Sequence, residues 1–518
     1  MITRIINLSH RTYFLLLFAL NIILRISSLY TPVLDVDETQ FAGFAHVLMD
    51  GGFPFRDSLD TKPLGIYLFY WLCFALFGRT NMLAVHAMTT LVTFAAAVML
   101  YRVFAVFREQ TTGRWAALLF VIFSTTFIPK YISTSINSVM VIFLITSVYF
   151  MARACGQHKP LFSVLSGFVL GLGFLFKYTA GIQLVLFFLY SLYHYWMQKN
   201  KKQTPWNFLI QNILFGMAFI LPFILHGLVL YQLGVWGDFV EWSLLGSGKY
   251  IGQGGATIAF LPSFVLRFGS YALATVFLWA YLFKGLDKNM HRDPRIMLCV
   301  LWFVLSLVPV LMSGRFYPHY FIHLLPALCG LAAIGIVRSE NAGRHRGFKI
   351  LFTLLVILPT LFFWGLRVHH RFYLQHFPDD HIYEQMEAGL KLREISKPDD
   401  RLFVWGFATG IYFYSGLKPA SRFLWSDVLT GRTPGPGYAR INREKEAQYQ
   451  NNRAWEVFWE DINKQRPVFF VDTSPADIHD YERFPIKNYP ALYSYVQERY
   501  TKILTFKGID FYKLKTAL

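Results

Sequence analysis

Three carboxylates stand together in Asp35-Val36-Asp37-Glu38, directly after the first apolar stretch of the chain. Such a cluster can take a proton from a hydroxyl or hold a divalent cation. A plainer reading stays open, in which Asp37 caps a helix and its neighbours are solvated. The same loop continues through Asp57, Asp60 and Lys62-Pro63. Lys177 lies between two apolar runs, and Gly314-Arg315-Phe316-Tyr317-Pro318-His319-Tyr320, with His323 one turn on, joins two more. An ammonium beside lipid is costly to desolvate and is by default a functional candidate, with snorkelling to headgroups as the alternative. Arg25, inside the first apolar stretch, carries the same two readings. Arg315 and His319 have the chemistry to bind phosphate or carboxylate.

One reaction needs both kinds of group. Displacing a lipid-linked phosphate from a sugar requires a base for the incoming hydroxyl and cations for the phosphate that leaves. Asp37 and Glu38 supply the first; Lys62, Lys177, Arg315 and His319 supply the second.

These groups must be placed by membrane helices. The chain has 518 residues, of which 55% are hydrophobic and 15% charged, too apolar for a soluble protein of this size. Eleven apolar segments are expected to span a bilayer: 12–31, 82–101, 115–129, 138–152, 161–176, 178–196, 208–231, 260–283, 296–312, 319–337 and 348–366. The first is read as an uncleaved signal anchor because Arg25 interrupts it. One set of short loops holds eighteen Lys and Arg residues and the alternate set seven. The bias of these residues toward the cytoplasm therefore puts the N-terminus inside and residues 367–518 outside the cytoplasmic (inner) membrane. Most of the net charge of +18 sits in the cytoplasmic loops, so it marks topology rather than a nucleic-acid partner. Four cysteines, in or beside apolar segments and without close spacing, suggest neither a disulfide framework nor a metal knuckle.

The first external loop, 32–81, is expected to fold back on the membrane as two interfacial helices. Phe41, Phe44, Ala45 and Leu48 fall at helical spacing with Gln40, His46 and Asp50 on the other face, Asp37 stands at the N-cap position, and Leu64 to Phe77 forms a second, apolar helix. A glycine-rich loop at 232–259 reads as a substrate lid or as a merely flexible connection. After residue 366 the pattern predicts a small α/β domain, with strands at 401–405, 467–471, 503–506 and 509–514 and helices near 380–396 and 440–464. No phosphate-binding G-x-x-x-x-G-K motif occurs.

Asp37-Glu38-Thr39-Gln40 on an amphipathic helix, Lys62-Pro63 before an apolar helix, and Phe176-Lys177-Tyr178 at the end of a span resemble the protein O-mannosyltransferase and lipid A aminoarabinose transferase superfamily, glycosyltransferase family 39 type. The resemblance implies a multi-pass α-helical membrane protein with the C-type glycosyltransferase fold and a small α/β extracytoplasmic C-terminal domain. It implies that Asp37 is the catalytic acid residue, taking the acceptor's proton as the hydroxyl attacks the anomeric carbon with inversion, and that Lys62 and Lys177 hold the carrier phosphate. The donor would be an undecaprenyl- or dolichyl-phosphate sugar and the acceptor a cell-envelope lipid, glycan or protein. Two departures stand out. Gln40 and Thr61 replace the Arg and Glu of similar aminoarabinose transferases, which points to a different sugar. Asn137 stands where related enzymes place an acid, so a divalent metal shared between two loops is not expected. A glycan ligase or polymerase using a pyrophosphate-linked carrier, and a flippase of lipid-linked substrates, are the rival readings; a flippase site belongs at the bilayer midplane.

Overall fold

The computed structural model describes residues 5–126, 132–197, 204–247, 260–286, 288, 290–312, 314–341, 345–369, 381–432 and 450–515. Its first part is helical: α1 His10–Arg25, α2 Val36–Met49, α3 Gly65–Phe77, α4 Met82–Ala105, α5 Gln110–Phe123, α6 Ile136–Gln157, α7 Pro160–Phe174, α8 Ile182–Met197 and α9 Pro205–Gln232. There follow α10 Leu261–Ala274, α11 Val276–Gly285, α12 Pro294–Leu311, α13 Leu325–Asn341 and α14 Gly347–Val368.

This is a membrane protein. Among the described residues, six helices, beginning with α1 and its short 3-10 extension, are long and apolar enough to cross a bilayer, and the pair α10 and α11, bent by 75° at Thr275, makes a seventh if counted as one span. Helices α5, α8, α7 and α13 stand where four further spans are expected, with lengths of 14, 16, 15 and 17 residues. The expectation of eleven spans therefore exceeds the count that length and composition support. Exposed apolar side chains such as Ile213, Met217 and Leu228 on α9 form the kind of face that needs lipid rather than water. Between α7 and α9 the contact is backbone to backbone. A side chain at Gly167 or Gly171 would strike the carbonyls of Phe215 and Phe219, the close approach that small residues permit between membrane helices.

The loop after α1 turns on local capping. Asp35, not Asp37, is the N-cap of α2: its carboxylate accepts the Asp37 amide at 3.0 Å from an extended backbone. The sequence expectation sets the cap two residues too late, and Asp37 lies inside the first turn of α2. Gly51, at φ 80°, and the Gly52 amide on the Val47 carbonyl close the helix. Arg79 then grips Asp50 through two 2.8 Å bonds and ties the ends of α2 and α3 together.

A second correction concerns the polar face of α2. It does not lie at a lipid–water interface, because the C-terminal domain covers it. That domain holds α15 Ile382–Ile395, β1 Arg401–Trp405, α16 Thr409–Ser415, β2 Lys418–Pro419, α17 Asn452–Gln465, β3 Phe469–Asp472, α18 Pro490–Arg499, β4 Tyr500–Phe506 and β5 Ile509–Leu514. The sheet order is β2-β1-β3-β5-β4. Strands β2, β1 and β3 are parallel, and β5 and β4 are added antiparallel. Lys507 and Gly508 turn between β4 and β5 with φ 50° and 79°, as a two-residue hairpin demands. The sequence reading misses β2, α16 and α18, and residues 440–449 of its second helix lie outside the described residues.

Domain and loop share one packing unit. Thr39 and Thr409 hydroxyls meet at 2.7 Å, the His46 ring stacks on Phe413, and Leu424 packs on Gly43. The Leu59 amide donates to the Arg422 carbonyl at 3.0 Å. Leu59 and Trp242 enter the domain's own core beside Phe403, Trp405 and Phe458. The described part of the expected lid is thus pinned: Glu241 pairs with Arg453 at 2.9 Å, and the Ser243 and Ser247 hydroxyls donate to the Thr61 carbonyl. Its glycine-rich remainder, 248–259, lies outside the described residues.

Candidate active site under the C-terminal domain

The cluster Asp35, Asp37 and Glu38 separates into three fates. Asp35 is buried and caps α2. Glu38 is completely buried: one carboxylate oxygen accepts the Leu34 amide at 2.7 Å, and the other accepts the Thr134 amide at 2.7 Å and meets His86 Nε2 at 2.9 Å. The far side of that ring bonds the Ser28 carbonyl at 2.6 Å. Glu38 therefore locks the start of α2 to α4 and to the second loop. Asp37 alone is half-exposed.

Arg25 does not snorkel. The residue is 1% exposed, and its guanidinium donates to the Ile132 carbonyl at 2.7 Å and to the Thr90 hydroxyl at 3.3 Å and acts on the Glu38 charge. It staples the same junction from α1. Gln40, one turn beyond Asp37, is buried within α2.

Asp60 organises the cationic side. Its carboxylate binds the Lys62 ammonium at 2.7 Å, the Tyr67 hydroxyl at 2.5 Å and the Thr61 amide at 2.6 Å. Lys62 stays 30% exposed along its side chain, so it is aimed by Asp60 without being consumed. Lys177, in the turn between α7 and α8, lies half-buried with its ammonium 4.0 Å from the centre of the Tyr320 ring, a cation–π contact. Loss of surrounding water, then the charge of Lys62, pushes its pKa down to about 7, while Asp37 opposes the shift. Asp37, Lys62 and Lys177 therefore feel one another across a single space.

The Arg315 to His323 turn closes that space. Phe316 adopts φ 48°, an uncommon conformation for an aromatic residue that other contacts must hold; its buried ring packs on Phe264. Arg315 is buried, and half-exposed His319 stacks on Tyr317. Asn137 donates its amide to the His319 carbonyl at 2.8 Å. A carboxylate there would face that carbonyl without a proton to offer, which accounts for the amide physically. Asn137 and Glu38 are both engaged by these bonds. Among the described residues, no group of three or more His, Cys, Asp or Glu side chains is placed to hold one.

The structure thus brings Asp37, Lys62, Asp60 and Lys177 together, places Arg315 and His319 on the adjoining turn, and moves Glu38 and Arg25 into its support. Sequence reasoning missed Tyr67, His86 and Arg267, the last lying 5.6 Å from the Tyr317 ring. A histidine and an arginine within apolar stretches were the available signal for two of them.

Residues 61–226 match the family described as dolichyl-phosphate-mannose-protein mannosyltransferase; the match includes Lys62, Asn137 and Lys177 and stops short of Asp37. Similar folds occur in ArnT from Cupriavidus metallidurans bound to undecaprenyl phosphate, at a TM-score of 0.59 and 12% identity over 97% of this chain and 98% of that one. The Archaeoglobus fulgidus oligosaccharyltransferase in complex with an inhibitory peptide and a dolichol-phosphate is similar at 0.50 and 13% identity, over 97% of this chain and 74% of that one. No curated protein sequence matches the chain. The fold defines the class: this is an integral-membrane protein with the C-type glycosyltransferase fold and a small sheet-containing C-terminal domain.

Proposed function

We propose that the chain transfers a sugar from a polyprenyl-phosphate donor to a cell-envelope acceptor at the outer face of the cytoplasmic membrane. The observation that carries this reading is the division of labour around α2. Of three neighbouring carboxylates only Asp37 is left half-exposed, and it shares a space with Lys62 and Lys177. The acceptor hydroxyl gives its proton to Asp37 while its oxygen attacks the anomeric carbon. The bond from that carbon to the phosphate oxygen breaks with its electron pair, and polyprenyl phosphate departs against Lys62, Lys177, Arg315 and His319. Attack from the side opposite the leaving phosphate inverts the anomeric centre.

Donors in this scheme are undecaprenyl- or dolichyl-phosphate sugars, in line with the carriers bound by the two similar structures. The distribution of basic loops supports a cytoplasmic N-terminus and an extracytoplasmic C-terminal domain. Glu38, Arg25 and Asn137 position the loops, and Asp60 aims Lys62.

The test is sugar transfer by purified Asp37→Asn, with wild-type melting behaviour as the control for folding. Loss of a general base costs about 10²- to 10⁴-fold in rate. Transfer at the wild-type rate removes Asp37 from the mechanism.

A further inference from the structure

One buried imidazole has no task in this scheme. His323 ends the 3-10 turn Pro318–His323, two residues before α13, and is 3% exposed. Its Nε2 is buried and meets no hydrogen-bond partner among the described residues. A buried polar atom of this kind is costly to leave unmade unless something else completes it.

Its position says what would. A 3-10 helix repeats every three residues, so side chains three apart share a face. Tyr320 and His323 are such a pair, and the Lys177 ammonium rests 4.0 Å from the Tyr320 ring centre. His323 thus lies beside Lys177, and the two act on each other electrostatically. Two nitrogen groups side by side repel when both carry protons. An anion between them accepts from both and removes the conflict.

We propose that His323 Nε2–H donates to the phosphate of the polyprenyl carrier, making the imidazole a leaving-group contact alongside Lys177. The inference rests on the donor reading above and deepens it. Cleavage of the sugar–phosphate bond turns a phosphodiester with one negative charge into a monoester that gains a second. A hydrogen bond to that group therefore strengthens as the reaction proceeds. His323 thereby adds a buried imidazole to half-exposed His319 on the same turn.

The test uses the full-length detergent-solubilised chain and two probes, a short-chain polyprenyl phosphate and the matching polyprenol. His323→Leu is expected to weaken binding of the phosphate about ten- to a hundredfold and to leave the polyprenol unchanged. His323→Gln, which retains an N–H at similar reach, recovers most of the loss. In the wild type, adding the phosphate probe shifts one ¹⁵N-histidine Nε2 resonance that is missing in His323→Gln, a readout that holds even if the leucine variant does not fold. Unchanged phosphate binding by both variants, equal loss of both probes, or no shifted resonance overturns the proposal while the donor reading stands. A wild-type chain that does not prefer phosphate to alcohol overturns both.

Discussion

The Glu38 carboxylate meets His86 Nε2 at 2.9 Å with both side chains fully excluded from solvent. The same oxygen accepts the Thr134 amide, so a single group joins α2, α4 and the second loop. Removing one partner of a buried pair strands the other, at about 3 to 5 kcal/mol. Glu38→Gln and His86→Leu are each expected to lower the melting temperature and to slow transfer. A double-mutant cycle read by melting in detergent should show strong coupling between the two sites; additive effects would mean that they act separately.

Asp60 holds three donors at once, and Lys62 is the one that faces the proposed donor. Asp60→Asn is expected to raise the KM for the lipid-linked sugar more than it lowers kcat, since it releases Lys62 without touching Asp37. Tyr67→Phe, which removes one neutral donor, should cost about 1 kcal/mol of stability and leave KM nearly unchanged. Steady-state kinetics with both variants separates an aiming role from simple packing.

Lys177 carries a pH dependence. Its pKa lies down at about 7, through lost hydration and then Lys62, against the pull of Asp37. Tyr320 and His323 face it from the neighbouring turn. The ammonium is the protonated form, so its charge is present below pH 7 and fades above it. Carrier-phosphate affinity is therefore expected to fall between about pH 7 and 9. Lys177→Arg, charged throughout, should flatten that slope in a binding titration, and a variant with the wild-type slope would assign it elsewhere.

Asp472, at the end of β3, has its pKa raised from 3.8 to about 6 by burial, although Ser474 donates to it from hydroxyl and amide. The folded domain holds this proton more tightly than the unfolded chain. Stability from this group is thus fully present below about pH 4 and lost as pH rises through 6, to a total of about 3 kcal/mol. Asp472→Asn, which keeps an acceptor for Ser474, is expected to raise the melting temperature at pH 7 and to erase this step. An unchanged pH–stability profile would show that the carboxyl is ionised in the folded state.

Much of this architecture was legible residue by residue. The Asp35 to Glu38 cluster, Lys62-Pro63 and Lys177 stand out because ionisable groups next to apolar runs are rare and expensive. Strands β1, β4 and β5 announce themselves by β-branched and aromatic runs. The short β2, with two residues, has no local pattern to find; it exists only because β1 offers a free edge. The polar face of α2 was read as wet because amphipathicity records that a face is polar, not what meets it. Thr409 and Phe413 come from more than 360 residues further along the chain.

The chain's composition and hydrophobic spacing alone determine that it is a membrane protein and that acids and cations gather in its loops, because lipid tolerates neither unpaired backbone nor stray charge. Tertiary structure decides which of the three carboxylates are buried and which stays half-exposed. Asp35, Asp37 and Glu38 are chemically alike and close in sequence, and contacts with the helix end, His86 and the Thr134 amide bury two of them while Asp37 stays half-exposed.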